Sequence, residues 1–374
     1  MMELTDRHYR HLARRLSRHA LLWTEMLTAR AVIHGDRERL LGNDPADGPT
    51  VLQLGGAEPA EMAEAARIGE AWGYAEINMN VGCPSDRVQS GRFGACLMAE
   101  PELVAANVRA MREAVAVPVT VKCRLGIDRQ DDYGALERFV ATVADAGCEY
   151  LTVHARKAWL DGLSPKENRT VPPLRYEHVY RLKRQRPSLH VTINGGIVDW
   201  PSVHAHLERV DGVMLGRHAY YRPAFLASVD RELFGEASSD GRRADGPRAI
   251  APERTDPAVE RAGPTSGESG GRVAGTPMRA GGDGASVAAL AAVARDYARY
   301  TQRVVDAEGV RANVLLRHLI ALFQEVPGAR QWRRRLGEEG PRTRDAVTLV
   351  EEALAHVERG AEREGRAEPR RRSA

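Results

Sequence analysis

Short apolar runs alternate with longer amphipathic stretches over the first two-thirds of the chain. Seven runs have the length and character of strands: 20–28, 50–56, 76–84, 117–126, 150–157, 189–196 and 211–217. The stretches between them, such as 58–74 and 135–150, carry apolar residues at helical spacing. Repeated strand–helix units with right-handed crossovers give a parallel sheet covered by helices.

Polar and glycine-rich residues follow the carboxyl ends of these strands. A doubly wound sheet could use fewer strands, but this placement around the whole series favours an α/β (βα)₈ TIM barrel with its active site at one face. A closed barrel needs eight strands, and the first one is missing from this chain. Because the opening MMELTDRHYRHLARRLS has the character of a loop and a helix, we expect the missing strand to precede Met1 and the natural protein to be longer.

The character of the sequence changes after the barrel, predicted for 1–235. Residues 236–286 contain ten glycines and five prolines but no aromatic residue and no leucine, which predicts a disordered linker. Helical patterning resumes over 287–360 and predicts a small helical domain with a helix near 344–359. The last segment, 361–374, is basic and predicts a disordered tail.

Composition excludes several classes of protein. There is no apolar run of 18 residues and no signal-peptide pattern, so we expect a cytoplasmic protein. The four cysteines include no CxxC pair, which argues against a zinc ribbon or a disulfide framework, and we expect no metal. Net charge is only +3, but residues 311–335 hold six arginines and one acid, which predicts either a surface for a polyanion or a solvated helix face.

The strand ends should meet in one pocket. The late glycines fit a phosphate site, which this class of barrel often places after its last two strands. A lysine at the barrel mouth needs an anionic partner, and a lone histidine could be a core residue, but with the lysine and a glutamine it suits an electron-rich flavin. The candidate cofactor residues are Gln53, Lys122, His154, Asn194, Gly195, Gly196, Gly216 and Arg217.

Of the four cysteines, Cys83 alone is expected next to this cofactor, because it ends a strand and begins a turn. A hydride delivered to one carbon of a double bond requires a proton at the neighbouring carbon, and a thiol can donate it. Free cysteines are usually buried, and this is the expectation for Cys96, Cys123 and Cys148.

Several motifs together resemble the tRNA-dihydrouridine synthases, specifically the A-type bacterial subfamily that acts on the D-loop of tRNA. They are EINMNVGCPSDRVQSGRFGACLM, VTVKCRLGID, HARKAWLDGLSPKENR, INGGI, DGVMLGR and, in the helical domain, FQEVPGARQWRRRL. The resemblance covers roughly 2–235 and 290–340.

The resemblance implies FMN as cofactor, NADPH as reductant and tRNA as substrate, in a protein that we expect to be a monomer. It implies that hydride passes from reduced FMN to C6 of a uridine and that Cys83 protonates C5. It places the cofactor contacts on the strand-end residues above and adds Met2, which matches a family residue that follows a proline. It implies substrate contacts at Asn80, Lys166, Arg169, Arg330 and Arg333.

Two other readings stay open on the sequence. One is an FMN barrel that reduces a small molecule, of the dihydroorotate dehydrogenase kind. The other is a tRNA-binding protein that the missing strand has made inactive.

Overall fold

Seven parallel strands form a single sheet in sequence order, β1 to β7. A computed structural model describes residues 1–85, 88, 91–130, 132–235 and 285–367. The strands are β1 Leu22–Thr28, β2 Thr50–Gly55, β3 Glu76–Val81, β4 Val119–Arg124, β5 Tyr150–His154, β6 His190–Asn194 and β7 Gly212–Met214. Each lies within a run that the sequence predicts as a strand, so the predicted α/β barrel-type fold is confirmed.

The sheet is a (βα)₈ barrel with one strand fewer. Within the described residues β1 pairs only with β2, and β7 pairs only with β6. The opening segment of the chain contacts both edges: the Leu4 amide donates to Glu25 on β1 (3.1 Å), and the Tyr9 hydroxyl donates to the Ala219 carbonyl beyond β7 (2.9 Å). The two edges therefore face each other, and the sheet curls as a barrel does.

Helices cover the outside of the sheet, and half of the ten helices given below begin at a side chain that caps them. Asp6, Thr28, Asp36, Asp132 and Asp199 each accept a hydrogen bond from a backbone N–H in the first turn. The helices are α1 Arg7–Leu16, α2 Ala29–His34, α3 Arg37–Leu41, α4 Pro59–Ala71, α5 Pro101–Ala114, α6 Tyr133–Asp145, α7 Tyr176–Gln185, α8 Trp200–Leu207, α9 Arg217–Tyr221 and α10 Val229–Phe234.

Alternation along the strands separates an apolar outer face from a polar interior. On β3, Ile77, Met79 and Val81 are fully buried in the hydrophobic core between the sheet and its helices. Asn78 and Asn80 alternate with them and are buried inside the barrel. The neighbouring strands repeat this pattern, so the barrel interior carries amide, hydroxyl and charged groups toward the barrel mouth, the face at the carboxyl ends of the strands.

Within residues 285–367, four helices follow those of the barrel: α11 Val287–Glu308, α12 Ala312–Leu316, α13 Ala329–Glu339 and α14 Ala346–Ala367. Their core is continuous with α1, because Leu12, Ala13 and Leu16 belong to the same buried cluster as Tyr297 and Trp332. The first helix thus joins the barrel to the C-terminal bundle, which the sequence pattern did not predict. None of the helices in the described ranges is long and apolar enough to cross a bilayer.

Two segments that the sequence predicts as disordered, the linker and the C-terminal tail, lie only partly within the described residues. The linker predicted for 236–286 lies outside the described residues except for its last two positions, where Ser286 caps α11. Residues 361–367 of the predicted tail continue helix α14, and the remaining tail residues lie outside the described part of the chain.

Candidate active site

Cys83 lies in a turn just beyond β3, the Cys83 loop (residues 82–85), at intermediate exposure. Asn80 Oδ1 accepts hydrogen bonds from the backbone N–H groups of Gly82 and Cys83, both at 3.0 Å. The Cys83 carbonyl accepts from the Ala95 amide at 2.9 Å, and the Cys83 thiol donates to Ser85 Oγ at 3.6 Å. The backbone is therefore fixed on both sides of a thiol that remains accessible at the barrel mouth.

A close backbone approach explains one glycine of this region. Gly94 has φ +78°, and a Cβ there would lie 2.6 Å from the Cys83 carbonyl oxygen. A side chain at position 94 would displace the Cys83 loop, so the glycine keeps the thiol in place.

The other three cysteines pack in the structure. Cys123 and Cys148 are buried between sheet and helices, and burial raises the pKa of each thiol to about 12. Cys96 is partly buried against the same core, and its thiol donates to the Phe93 carbonyl at 3.2 Å. All four cysteines are free thiols, and Cys83 alone lies at the barrel mouth.

Gln53 and Asn80, from adjacent strands, are each 9% exposed and contact one another. The Asn80 amide donates to Gln53 Oε1 at 2.8 Å, and the Gln53 amide donates to Asn78 Oδ1 at 2.9 Å. The structure thus brings a predicted cofactor residue next to a predicted substrate residue, directly beneath the Cys83 loop.

Lys122 lies on the neighbouring strand, where it pairs in register with Asn80. Among the described residues its side chain makes no hydrogen bond and no ion pair. Burial, and then the charge of Arg124, lower the pKa of Lys122 to about 8. An anionic ligand would compensate this cation.

His154 lies on the next strand and is neutral at physiological pH. Burial, followed by the charges of Arg124, Lys122 and other cations, lowers its pKa well below the ordinary value. Its ring packs against Gly195, where a Cβ would come within 2.7 Å of the imidazole. A neutral imidazole can donate or accept a hydrogen bond without adding charge.

The loops after β6 and β7 form an open cradle. Gly195 and Gly196 have φ of +119° and +74°, conformations that favour glycine. The Tyr176 hydroxyl donates to the Gly195 carbonyl at 2.7 Å, and the Asn194 amide donates to the Met214 carbonyl at 2.8 Å. These bonds hold the backbone of two neighbouring loops where a barrel of this class binds phosphate.

Gly216 and Arg217 begin helix α9 beside this cradle, and the Arg217 guanidinium donates to the Arg169 carbonyl at 3.3 Å. A Cβ on Gly216 would lie 3.4 Å from the sulfur of Met1. Met2, the predicted cofactor residue, is 59% exposed, so the structure places Met1 rather than Met2 against this part of the site.

Five positive side chains lie close to one another around the barrel mouth, and among the described residues none of them pairs with an acid. We call them the mouth cations: Lys122, Arg124, Arg156, Arg169 and Arg217. Burial, and then the neighbouring Arg217 cation, lower the pKa of Arg169. Burial lowers the pKa of Arg124 to about 10, and Arg169 and Arg156 add to that decrease. Such mutual repulsion is characteristic of a site built to receive an anion.

Sequence reasoning missed two of these cations. Arg124 is 3% exposed; its Nε donates to the Gly82 carbonyl at 2.9 Å and its Nη1 to the Asn168 carbonyl at 2.9 Å. It therefore connects the Cys83 loop with the loop that carries Lys166 and Arg169. Arg156 has a buried Nε without a partner. The signal for both was available, because Arg124 ends β4 and Arg156 lies two positions beyond the end of β5, each in step with the interior-facing residues of its strand.

The predicted tRNA residues divide between two surfaces. Lys166 and Arg169 are exposed on the loop after β5, close to the pocket. Arg330 and Arg333 are exposed on α13, one helical turn apart, and neither has an acidic partner within the described chain. Of the remaining arginines in 311–335, Arg317, Arg334 and Arg335 are paired with acids.

Among the described residues, one group of potential metal ligands lies away from the pocket, where His11, Asp44 and Asp47 place ligand atoms within 4.8 Å of one another. His11 Nδ1 lies 2.9 Å from one Asp47 oxygen, and Arg15 donates to the other at 2.9 Å. Asp44 caps a short helical turn at the Ala46 amide. Ion pairing and capping thus account for this group.

The pocket suits a cofactor that carries phosphate and several carbonyl groups. The mouth cations and the glycine cradle match a phosphate, and Lys122 and the amides of Gln53 and Asn80 match carbonyl oxygens or a negatively charged ring. Residues present at the strand ends therefore fit FMN.

Comparison with known proteins identifies close relatives. The sequence profile of the dihydrouridine synthase (Dus) family matches residues 1–249. A tRNA-dihydrouridine(20/20a) synthase of Synechocystis sp. is 47% identical over 95% of this chain and 92% of its own length. Enzymes of the same name from Yersinia pestis and Escherichia coli strain K12 are 47% and 45% identical, each over 96% of this chain and 90% of their own length.

Proposed function

Because the chain belongs to the dihydrouridine synthase family, we propose that it reduces uridines in the D-loop of tRNA to 5,6-dihydrouridine, with FMN as cofactor and NADPH as reductant. The observation that carries this proposal is the placement of Cys83 beside the amides of Asn80 and Gln53, in a pocket ringed by cations to which the described residues offer no acidic partner.

FMN, once reduced, supplies the hydride for C6 of the uracil ring. The Cys83 thiol gives its proton to C5, so that hydride and proton together saturate the double bond and leave a thiolate that solvent reprotonates. The hydrogen bonds to the loop backbone keep the sulfur in place for this transfer.

The mouth cations hold anionic groups of the cofactor and substrate. Lys122 neutralises charge on the flavin ring, while Arg217 and the glycine cradle bind its phosphate. His154, being neutral, contributes a hydrogen bond without opposing the cations around it. Gln53 completes the polar floor of the pocket.

The substrate must present one base to this pocket, because a uridine within a folded loop is otherwise stacked and out of reach. Asn80 lies where it can meet that base. Lys166 and Arg169 at the mouth, with Arg330 and Arg333 on α13, bind the backbone of the RNA on either side.

The test is dihydrouridine analysis of tRNA from a strain that lacks the gene. We expect dihydrouridine to be lost from D-loop positions 20 and 20a and restored by the wild-type gene. A Cys83→Ala variant should bind FMN normally but restore little dihydrouridine, with a rate at least about 100-fold lower. Cys96→Ala is the matched control and should restore it fully. Unchanged dihydrouridine in the deletion strain, or activity of Cys83→Ala, contradicts the proposal.

A further inference from the structure

A continuous series of hydrogen bonds runs through the barrel interior from the Cys83 loop to the opposite end of β3. Beyond the contacts of Asn80 with Gln53 and of Gln53 with Asn78, the Asn78 amide donates to Thr120 Oγ1 at 2.7 Å. The Thr120 hydroxyl donates to Glu76 Oε1 at 2.6 Å. We call these five side chains the interior polar chain: Asn80, Gln53, Asn78, Thr120 and Glu76.

Every donor in the interior polar chain points in the same direction, from Asn80 toward Glu76. Asn80 Oδ1 is occupied by two backbone N–H groups, so the other side of its amide must be the nitrogen, which donates to Gln53. The same reasoning fixes the amide of Gln53 and then that of Asn78. At the far end, burial raises the pKa of Glu76 to about 7; above that pH the carboxylate only accepts, and it therefore requires the Thr120 hydroxyl to donate.

The two ends of the chain enforce the same polarity. Asn78 is fully buried and Thr120 is 3% exposed, so water does not provide substitute partners for them. Rotating any one amide by 180° would set donor against donor and acceptor against acceptor, which is costly in a buried network. Glu76, at the opposite end of the strand from the Cys83 loop, thereby constrains the residues at the mouth.

We propose that Thr120, Asn78 and Glu76 are positioning residues that fix the amides of Gln53 and Asn80 as donors at the barrel mouth. Each of these two amide nitrogens has two hydrogens, and the chain uses one of each. The second hydrogen is left for a ligand, so the pocket selects carbonyl groups, such as those of a flavin or a uracil ring, over amino groups. This inference rests on the proposed function and deepens it.

The sharpest test interrupts the interior polar chain at Thr120 without changing the packing volume. Thr120→Val keeps a β-branched side chain but removes the hydroxyl, so the buried Asn78 amide loses its acceptor and the amides above it stay anchored only at the Asn80 end. We expect FMN affinity, measured by quenching of flavin fluorescence at pH 8, to fall about tenfold. Burial raises the pKa of Glu76 to about 7, so at pH 8 its carboxylate is ionised.

Two matched variants separate positioning from packing. Thr120→Ser restores the hydroxyl and should restore FMN affinity to within about twofold. Thr152 is 7% exposed on the next strand and, in the described chain, makes no side-chain hydrogen bond, so Thr152→Val removes a hydroxyl outside the interior polar chain. It should leave FMN affinity unchanged.

A second break, Glu76→Leu at the far end, should weaken FMN binding in the same direction and also raise KM for tRNA. It keeps the inference testable if Thr120→Val does not fold. Wild-type FMN affinity in folded Thr120→Val or in Glu76→Leu overturns the inference, as does an equal loss in Thr152→Val. Failure of the wild-type protein to bind FMN would instead contradict the proposed function.

Discussion

The barrel mouth and the interface between α1 and the C-terminal bundle are both rich in positive charge, but they differ in whether acidic side chains compensate that charge. At the interface Arg317 and Arg15 pair with acids: Arg317 Nη2 lies 2.7 Å from Asp6, and Arg15 lies 2.9 Å from Asp47 and 3.1 Å from Asp296. At the mouth, the described residues provide no acid for any of the five mouth cations.

The charges at the interface stabilise the fold, whereas the charges at the mouth are left to pair with a ligand. Removing one partner of a partly buried ion pair is strongly destabilising, so the interface is stabilised by ion pairs within the chain. Cations without partners repel one another and destabilise the empty protein until an anion arrives. Binding should therefore stabilise the mouth and leave the interface unaffected.

The largest effect is expected at the interface. Asp6→Asn keeps a residue that caps α1 but removes the charge that pairs with Arg317 and His318. We expect the free energy of unfolding at pH 7 to fall by about 3 kcal/mol, measured by urea denaturation. FMN affinity should stay at the wild-type value; a large loss of affinity would mean that the two regions are not independent.

The same variant should show a defined pH dependence. Burial alone would raise the pKa of Asp6, but its hydrogen bond to His318 and the charge of that ring hold it well below the ordinary value. The stabilisation is therefore complete above the unfolded pKa of about 4 and is lost as pH falls toward the lower folded pKa. The difference between wild type and Asp6→Asn should shrink as urea denaturation is moved to more acidic pH.

Lys122→Met should give a smaller and opposite effect on stability at the mouth. Removing a buried cation should raise the unfolding free energy of the FMN-free protein by about 2 kcal/mol at pH 7, yet weaken FMN binding by about 30-fold. The wild-type penalty should fade as pH rises from about 8 toward about 10.5, since the native state holds fewer protons in that range. Lower stability of the variant at pH 7 would show that Lys122 has a partner of its own.

The smallest effect is expected on α13. Arg330→Ala or Arg333→Ala should weaken tRNA binding about threefold to tenfold and reduce the slope of log affinity against log salt by about one. Arg334→Ala on the same helix is the matched control, because Arg334 pairs with Glu338 at 3.1 Å. Filter binding over a salt series measures both quantities, and an equal effect of Arg334→Ala would argue against a defined RNA surface.

The barrel could be predicted from the sequence because a local pattern of residues marks each strand. Each strand appears as a short apolar run, and the residues that follow it must lie at one face, so Gln53, Lys122 and His154 could be placed before the structure was known. Cys83 could be separated from Cys123 because one follows a strand and the other lies within one on the outward-facing side.

The interior polar chain and the packing of α1 could not be predicted, because they depend on contacts between residues that are distant in sequence. Thr120 and Glu76 are unremarkable in sequence, and only the register of β3 with β2 and with β4 brings Asn78 between Gln53 and Thr120. The amphipathic pattern of α1 shows that one face is buried but not against what. The arginines of 311–335 look alike in sequence, and the acids that neutralise some of them lie elsewhere in the chain.

The packing of α1 has a consequence for synthesis of the protein. Arg15 and Asp296 are 281 positions apart, so this helix leaves the ribosome long before its partners exist. At roughly 5–20 residues per second, its apolar side waits about 14 to 56 seconds for the bundle. Until then the N-terminal helix is a natural binding site for a chaperone, and an interrupted message would yield a barrel whose first helix lacks its contacts with the bundle.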